Sequence, residues 1–496
     1  MALTRGSDVP PPIGADAGDL PVAEFEREGR VVLEWIAAYL AHPERYPVLS
    51  QVVPGQVRDA LPTTAPENGE PLDRILREFE ETIVPGITHW NHPAFFGYFA
   101  TSSSVPGILA EMLIAALDVK AMLWRTSPAA TELEEVVMDW LRQMLGLGPG
   151  WFGLITDTAS MSSMLALAAA REAKPELEIR ERGMAGRSDV PRLRVYASSE
   201  RHSSIDKAAL ALGVGLENVV KVEVDEHFRM RADALAHAVA ADRRLGFLPL
   251  AVVATVGTTN TSSIDPVPEI AALCEREQMW LHVDAAYGGI AAIVPEFRPI
   301  FAGVDRADSL VVNPHKWLFT PFDCSAFFVR RPEVLKRAFS IVPEYLATRG
   351  QDGVVNFMDY GVQLGRRFRS LKLWMVIRAF GVEGLVARLR HHRALALRFS
   401  EAVAADVRWE LLAPVPFALV CFRYAPPGTD EATRDALNAA LLDRVNATGD
   451  VFLSHTKLRG RFAIRLAIGN IRTEERHVAL AWERLRQAAE AVAPAG

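Results

Sequence analysis

Between residues 125 and 330 the chain switches repeatedly between two periods, and this narrows the fold more than anything else in it. Short apolar runs (LRVYAS, VVKVEV, LAVVATVG, MWLHVDAAY, SLVVNP, SAFFVRR) alternate with helical patterns such as SPAATELEEVVMDWLRQMLGL and SMSSMLALAAARE. Continuous apolar strands separated by helices predict a parallel sheet covered on both faces, an α/β architecture. In such sheets ligands gather beyond the carboxyl ends of the strands, so the residues that end each run matter most. From about Lys372 the pattern changes to a long helix, strand candidates FALVCFRY and RFAIRLAIG, and a last helix reaching Ala491. That predicts a smaller α+β domain closing the chain.

Composition removes several alternatives. The 496 residues carry 54 Lys and Arg against 61 Asp and Glu, a net charge of −7 with no basic block. A nucleic-acid surface or an anionic-membrane surface is therefore not expected. Cys274, Cys324 and Cys421 are too few and too scattered for a disulfide framework or a zinc site. The start, MALTRGSDVPPPIGADAGDL, lacks the apolar core of a signal peptide, and no run of 18 apolar residues occurs. A cytoplasmic protein behind a disordered leader over residues 1–20 is the expectation. The apolar positions Phe25, Val31, Val32, Leu33, Ile36 and Leu40 recur at helical spacing, and this stripe is expected to pack against another domain or subunit.

Three strand ends carry polar chemistry. MWLHVDAAYGG delivers Asp284, SLVVNPHKW delivers Asn313, His315 and Lys316, and LAVVATVGTTNTSS delivers Gly257, Thr258 and Thr259. A lysine and an aspartate facing one crevice are costly to bury unless paired or held by a ligand. Together they suit pyridoxal 5′-phosphate: a lysine whose ammonium pKa is lowered forms an imine with the aldehyde, and a carboxylate keeps the ring nitrogen protonated. The phosphate needs helix N-terminal amides and hydroxyls, which Thr158, Ala159 and Ser160 supply in GLITDTASMSSMLALAAARE.

HVDAAYGG, NPHKW, FDCSA and LGRRFRSLK, in this order, resemble the pyridoxal-phosphate-dependent group II decarboxylases, specifically the aromatic-L-amino-acid decarboxylases. The likeness extends to GITHWNHPAFFGYF, VPGILAEML, SPAATELEEVVMDWL and RFAIRLAI. It implies a fold-type I enzyme, a homodimer with an active site shared between subunits. The expected division is 1–104 (helical and dimer-forming), 105–372 (large, cofactor-binding) and 373–496 (small). By resemblance Lys316 is the imine lysine, Asp284 the pyridinium partner, and His202 the residue stacked on the ring. Thr158, Ala159, Ser160, Asn313 and His315 would line the phosphate pocket, and Thr259 and Ala286 would touch the ring. Tyr345 would donate the proton from a loop that closes over the site. Trp90, Tyr98 and Phe99 would receive the substrate side chain, with Met122 arriving from the other subunit.

The implied activity is decarboxylation of tryptophan, tyrosine, phenylalanine or dopa. The alternatives are an acidic substrate reached by Lys120 or Arg125, and an aminotransferase using Arg465 as a carboxylate clamp. Asp157 stands where the family carries glycine, Met161 where it carries glutamate, and Ala100 where animal members carry proline. His89 and His92 have a metal-like spacing without a third ligand, and His391-His392 is expected on a solvated helical face.

Overall fold

The computed structural model describes residues 19–341 and 353–493. Contacts divide the chain after His89. In the first unit the helix Val22–Ala41 stacks Trp35 on Tyr39 at 5.5 Å, and Trp35 meets Phe79 edge-on at 5.2 Å. None of this helix's residues is buried, and Val22 and Phe25 are 74% and 69% exposed. The second predicted helix begins at Leu72, widens after Glu78 into a π turn, and stops at Val84–Gly86, where Pro85 removes a backbone donor.

In the second unit the apolar runs form a seven-stranded sheet. Its strands are β2 (Phe152–Thr156), β3 (Leu193–Ser198), β4 (Val219–Val222), β5 (Leu248–Thr255), β6 (Trp280–Asp284), β7 (Ser309–Val312) and β8 (Ser325–Val329). The order is β2-β8-β7-β6-β5-β3-β4, and β8 alone runs against its neighbours. The sheet is therefore mixed at one edge. The six parallel strands end on one side, and Ser325, which starts the reversed β8, lies on that side opposite Thr156. Every residue of β6, β7 and β8 is buried, which is why these runs are apolar throughout rather than alternating. The alanine-rich helix Ala159–Glu172 packs against the sheet with Leu165 through Ala170 buried. A residue as small as alanine lets helix and sheet approach closely.

The second sheet has five strands: β1 (Phe95–Phe96), β9 (Trp409–Leu411), β10 (Leu419–Tyr424), β11 (Phe452–Leu458) and β12 (Arg461–Ala467), in the order β1-β11-β12-β10-β9. β10 and β12 stand where the sequence predicts strands, whereas β11 and the helix Glu431–Ala447 carry no such signal. In β11 the polar Ser454, His455, Thr456 and Lys457 outnumber the apolar positions, and in the helix only four residues are buried. The long helix Ser370–Ala405 breaks at Gly381, whose φ of 63° lies in the left-handed region open to glycine. The histidine pair on this helix also departs from expectation. His391 is exposed, but His392 is buried and its Nδ1 accepts the Trp317 indole N–H at 3.0 Å.

Candidate active site

Each strand end places one part of the site. Asp284 closes β6, in register with Thr255 of β5 and Val311 of β7. Its side chain is 5% exposed, and Oδ1 accepts the Ala286 N–H at 3.1 Å. Beyond β7, Asn313 leads into the one-turn helix Pro314–Trp317 that carries Lys316. The turn is held from outside the reacting groups. Trp317 is anchored on His392, and His315 Nδ1 accepts the Cys324 N–H at 2.9 Å. Burial pushes the His315 pKa down to about 3, so its ring is neutral.

Lys316 is half-buried, and desolvation lowers its ammonium pKa from the usual 10.5 while Asp284 offsets part of that shift. Its Nζ lies 5.5 Å from the centre of the Phe99 ring. Phe99 stacks on Tyr287 at 3.8 Å, and Tyr287 on Trp317 at 5.1 Å. An aromatic column thus stands beside the amine, and sequence reasoning had not found Tyr287 or Trp317 in it.

His202 precedes the helix Ser203–Ala211, and its Nδ1 accepts the Ser204 N–H at 3.1 Å. That bond requires an unprotonated Nδ1, which leaves the proton on Nε2. His202 is exposed. Desolvation, and after it the Lys316 ammonium, still lowers the ring's pKa from 6.5.

The N-terminus of the helix Ala159–Glu172 is joined to the lysine turn by hydroxyls. Thr156 Oγ1 meets Ser162 Oγ at 2.8 Å, Ser162 meets Ser325 at 3.2 Å, and Ser325 donates to Asn313 Oδ1 at 2.7 Å. The Asn313 amide lies 3.2 Å from His315 Nε2. Thr158 and Ala159 are half-buried and Ser160 is exposed at the helix start. Asp157 occupies the donors there: its Oδ1 accepts the Thr158 N–H at 2.5 Å and the Thr158 hydroxyl at 3.1 Å. A carboxylate oxygen therefore already accepts from the Thr158 donors at the start of this helix.

Thr259 is half-buried, and its carbonyl accepts Arg465 Nη2 at 2.8 Å. The same guanidinium donates to the Asn260 carbonyl at 3.1 Å and to Ser454 Oγ at 3.0 Å. All three Arg465 nitrogens are engaged, which removes it as a free clamp for a substrate carboxylate. Trp90 stacks on Phe95 at 4.5 Å and on Tyr98 at 5.7 Å, with Trp90 40% and Tyr98 53% exposed. Met122 is half-buried, whereas Lys120 and Arg125 are exposed. Tyr345 lies outside the described residues. His89 pairs with Tyr39 at 3.1 Å, and His92 accepts the Ala94 N–H at 3.0 Å. Among the described residues no group of three or more His, Cys, Asp or Glu is placed to hold a metal, and no helix is long and apolar enough to cross a membrane.

A lysine with a lowered pKa, a buried carboxylate on the adjacent strand and an anion-accepting helix terminus form a donor set that fits pyridoxal 5′-phosphate. Comparison with known proteins agrees. Tryptophan decarboxylase 2 of Oryza sativa subsp. japonica is 42% identical, over 95% of this chain and 95% of its own. Phenylacetaldehyde synthase of Arabidopsis thaliana is 40% identical, over 94% and 96%. The solved structure of Oryza sativa TDC with PLP and tryptamine superposes with a TM-score of 0.92 at 36% identity, covering 96% of this chain and 99% of that one. Residues 54–425 match the pyridoxal-dependent decarboxylase conserved domain. With that match across most of its length, the chain belongs to the pyridoxal-dependent decarboxylases, and pyridoxal 5′-phosphate is its cofactor.

Proposed function

We propose that this enzyme removes the α-carboxylate of an aromatic L-amino acid, releasing CO2 and the amine. One observation carries the choice of substrate: the Lys316 amine lies 5.5 Å from the centre of the Phe99 ring, while Lys120 and Arg125 are exposed in the single chain. An aromatic surface beside the reacting amine favours a flat apolar side chain over an acidic one.

Pyridoxal 5′-phosphate, when bound, supplies an aldehyde for an amine to condense with and a protonated ring that takes up the electron pair left by CO2. The chain's residues do the rest. Lys316, its ammonium pKa lowered by desolvation, would hold the cofactor until the substrate amine takes its place. Asp284 keeps the proton on the ring nitrogen. His202 covers the ring face with its Nε2–H available, and Thr259 and Ala286 confine the ring edge. Thr158, Ala159, Ser160, Asn313 and His315 hold the phosphate. Trp90, Tyr98 and Phe99, with Met122 of the other subunit, receive the side chain, and Tyr345 returns a proton to Cα.

The test is amine and CO2 release from L-tryptophan, L-tyrosine, L-phenylalanine, L-dopa and L-glutamate. Amine from at least one aromatic substrate and none from glutamate is expected; the reverse pattern sinks the proposal. The likeness to an aldehyde synthase gives a second reading, in which substrate, O2 and water give aldehyde, CO2, ammonia and hydrogen peroxide. Tyr345 favours the amine. Tyr345→Phe is expected to move product toward aldehyde with matching peroxide, and an unchanged amine yield would remove Tyr345 as proton donor.

The three-part division 1–104, 105–372 and 373–496, a cytoplasmic location and a homodimer belong to the same reading. The dimer is supported by apolar surface that one chain leaves open. Phe25 and Val31 are exposed in the first unit. In the second, Leu109, Leu113 and Leu117 on the helix Val105–Leu117 are 45%, 50% and 59% exposed. Light scattering at micromolar concentration should give twice the chain mass; a monodisperse monomer would refute both the dimer and the shared pocket.

A further inference from the structure

The residue before the N-cap of the phosphate-facing helix is an acid, and it is bonded to donors that a phosphate needs. Asp157 Oδ1 takes both the Thr158 N–H, at 2.5 Å, and the Thr158 hydroxyl, at 3.1 Å. Its other oxygen accepts Gln363 Nε2 at 3.0 Å, which holds the carboxylate in that orientation. The remaining hydroxyls of the cradle, on Thr156, Ser162 and Ser325, are bonded among themselves and to Asn313.

The charges around the cradle do not compensate for the acid. Arg369 is the nearby cation that feels Asp157, and it is already paired with Asp323 through Nε at 2.8 Å and Nη2 at 3.3 Å. Lys372, which also faces Asp323, is bonded to Glu111 at 2.5 Å. A phosphate dianion at Thr158 thus meets the Asp157 carboxylate directly, and like charges repel.

We propose that the Asp157 carboxylate competes with the cofactor's phosphate for Thr158, so that the chain binds pyridoxal 5′-phosphate more weakly, and releases it faster, than the same cradle without this acid would. This rests on the cofactor site proposed above. Binding displaces Asp157 from Thr158, and the separation of the two anions is what limits affinity. The effect is confined to ligands that carry a phosphate.

The experiment strips cofactor from the full-length protein and titrates it back, following the cofactor's visible absorbance and the quenching of tryptophan fluorescence. Asp157→Asn is expected to bind pyridoxal 5′-phosphate roughly tenfold more tightly and to lose it more slowly on dilution. Affinity for pyridoxal, which has no phosphate, should stay within twofold, and inorganic phosphate should compete more strongly against pyridoxal 5′-phosphate in the variant. Asp157→Glu, which keeps the charge, should stay weak. Asp157→Ser serves as a second neutral variant if Asn perturbs folding, judged by thermal melting. Equal affinities in wild type and both neutral variants, or an equal gain for pyridoxal, would overturn the proposal. If wild type and variants alike fail to take up pyridoxal 5′-phosphate, the cofactor-site reading fails as well, an outcome distinct from unchanged affinity.

Discussion

Lys316→Ala is expected to lower amine release by roughly four powers of ten, about 5.5 kcal/mol in barrier. The size follows from what the site loses. Alanine removes the amine proposed to hold the cofactor covalently, while Asp284, His202 and the proposed phosphate donors stay in place. The fold should survive, because the turn depends on its neighbours. Trp317 remains bonded to His392 and His315 to Cys324, and neither bond involves the lysine side chain. Lys316→Arg should fail almost as completely, since an arginine stays protonated. The measurement pairs steady-state amine release with the visible band of the lysine-linked cofactor, which should vanish. Activity within tenfold of wild type would mean that another residue carries the chemistry.

The second large effect lies away from the reacting atoms. Glu134 and Arg366 form an ion pair at 2.5 Å with side chains 1% and 6% exposed. Glu134 Oε1 also accepts the Ile155 N–H at 2.8 Å. Arg366 donates to the Ile155 carbonyl at 2.7 Å and the Ala121 carbonyl at 3.1 Å. The pair braces the end of β2, just before Asp157 and Thr158, against the segment that carries Met122. Glu134→Ala should cost roughly 3–5 kcal/mol, because a buried guanidinium loses its counter-charge and a buried N–H its acceptor. A lowered urea midpoint would report it. Glu134→Met with Arg366→Met should be less damaging than either change alone, since the uncompensated charge disappears with its partner. A Glu134→Ala protein as stable as wild type would refute the assignment.

LGRRFRSLK illustrates how far the sequence could be read. The string marked the family, yet its order says nothing about where its cations go. Arg366 reaches Glu134, Arg369 reaches Asp323, and Arg367 and Lys372 converge on Glu111. Each acid is distant in sequence, so only the folded chain pairs them. Lys316, Asp284 and Asn313 were legible because they interrupt apolar runs at the positions where a parallel sheet presents its ends. The reversed β8 was hidden, since a strand buried on both faces looks the same in either direction. His392 was misread because one exposed and one buried histidine are adjacent letters, and the buried one is held by tertiary contacts such as the Trp317 indole N–H. Arg465 was noticed for its charge, but its three acceptors are mostly backbone oxygens that leave no trace in side-chain composition.

The two-residue strand β1 has a consequence for how the enzyme is made. Phe95 and Phe96 pair in parallel with Phe452 and Leu453, and the Tyr98 N–H bonds Ser454 Oγ. The aromatic wall is thus encoded near the beginning of the chain and fastened by its final stretch, contacts of very long sequence separation that form late. A chain leaving the ribosome has emitted Asp284 and Lys316 well before the partner strand of Phe95 exists. A C-terminal truncation that removes β11 is therefore expected to leave Phe95, Phe96 and Tyr98 without these partners.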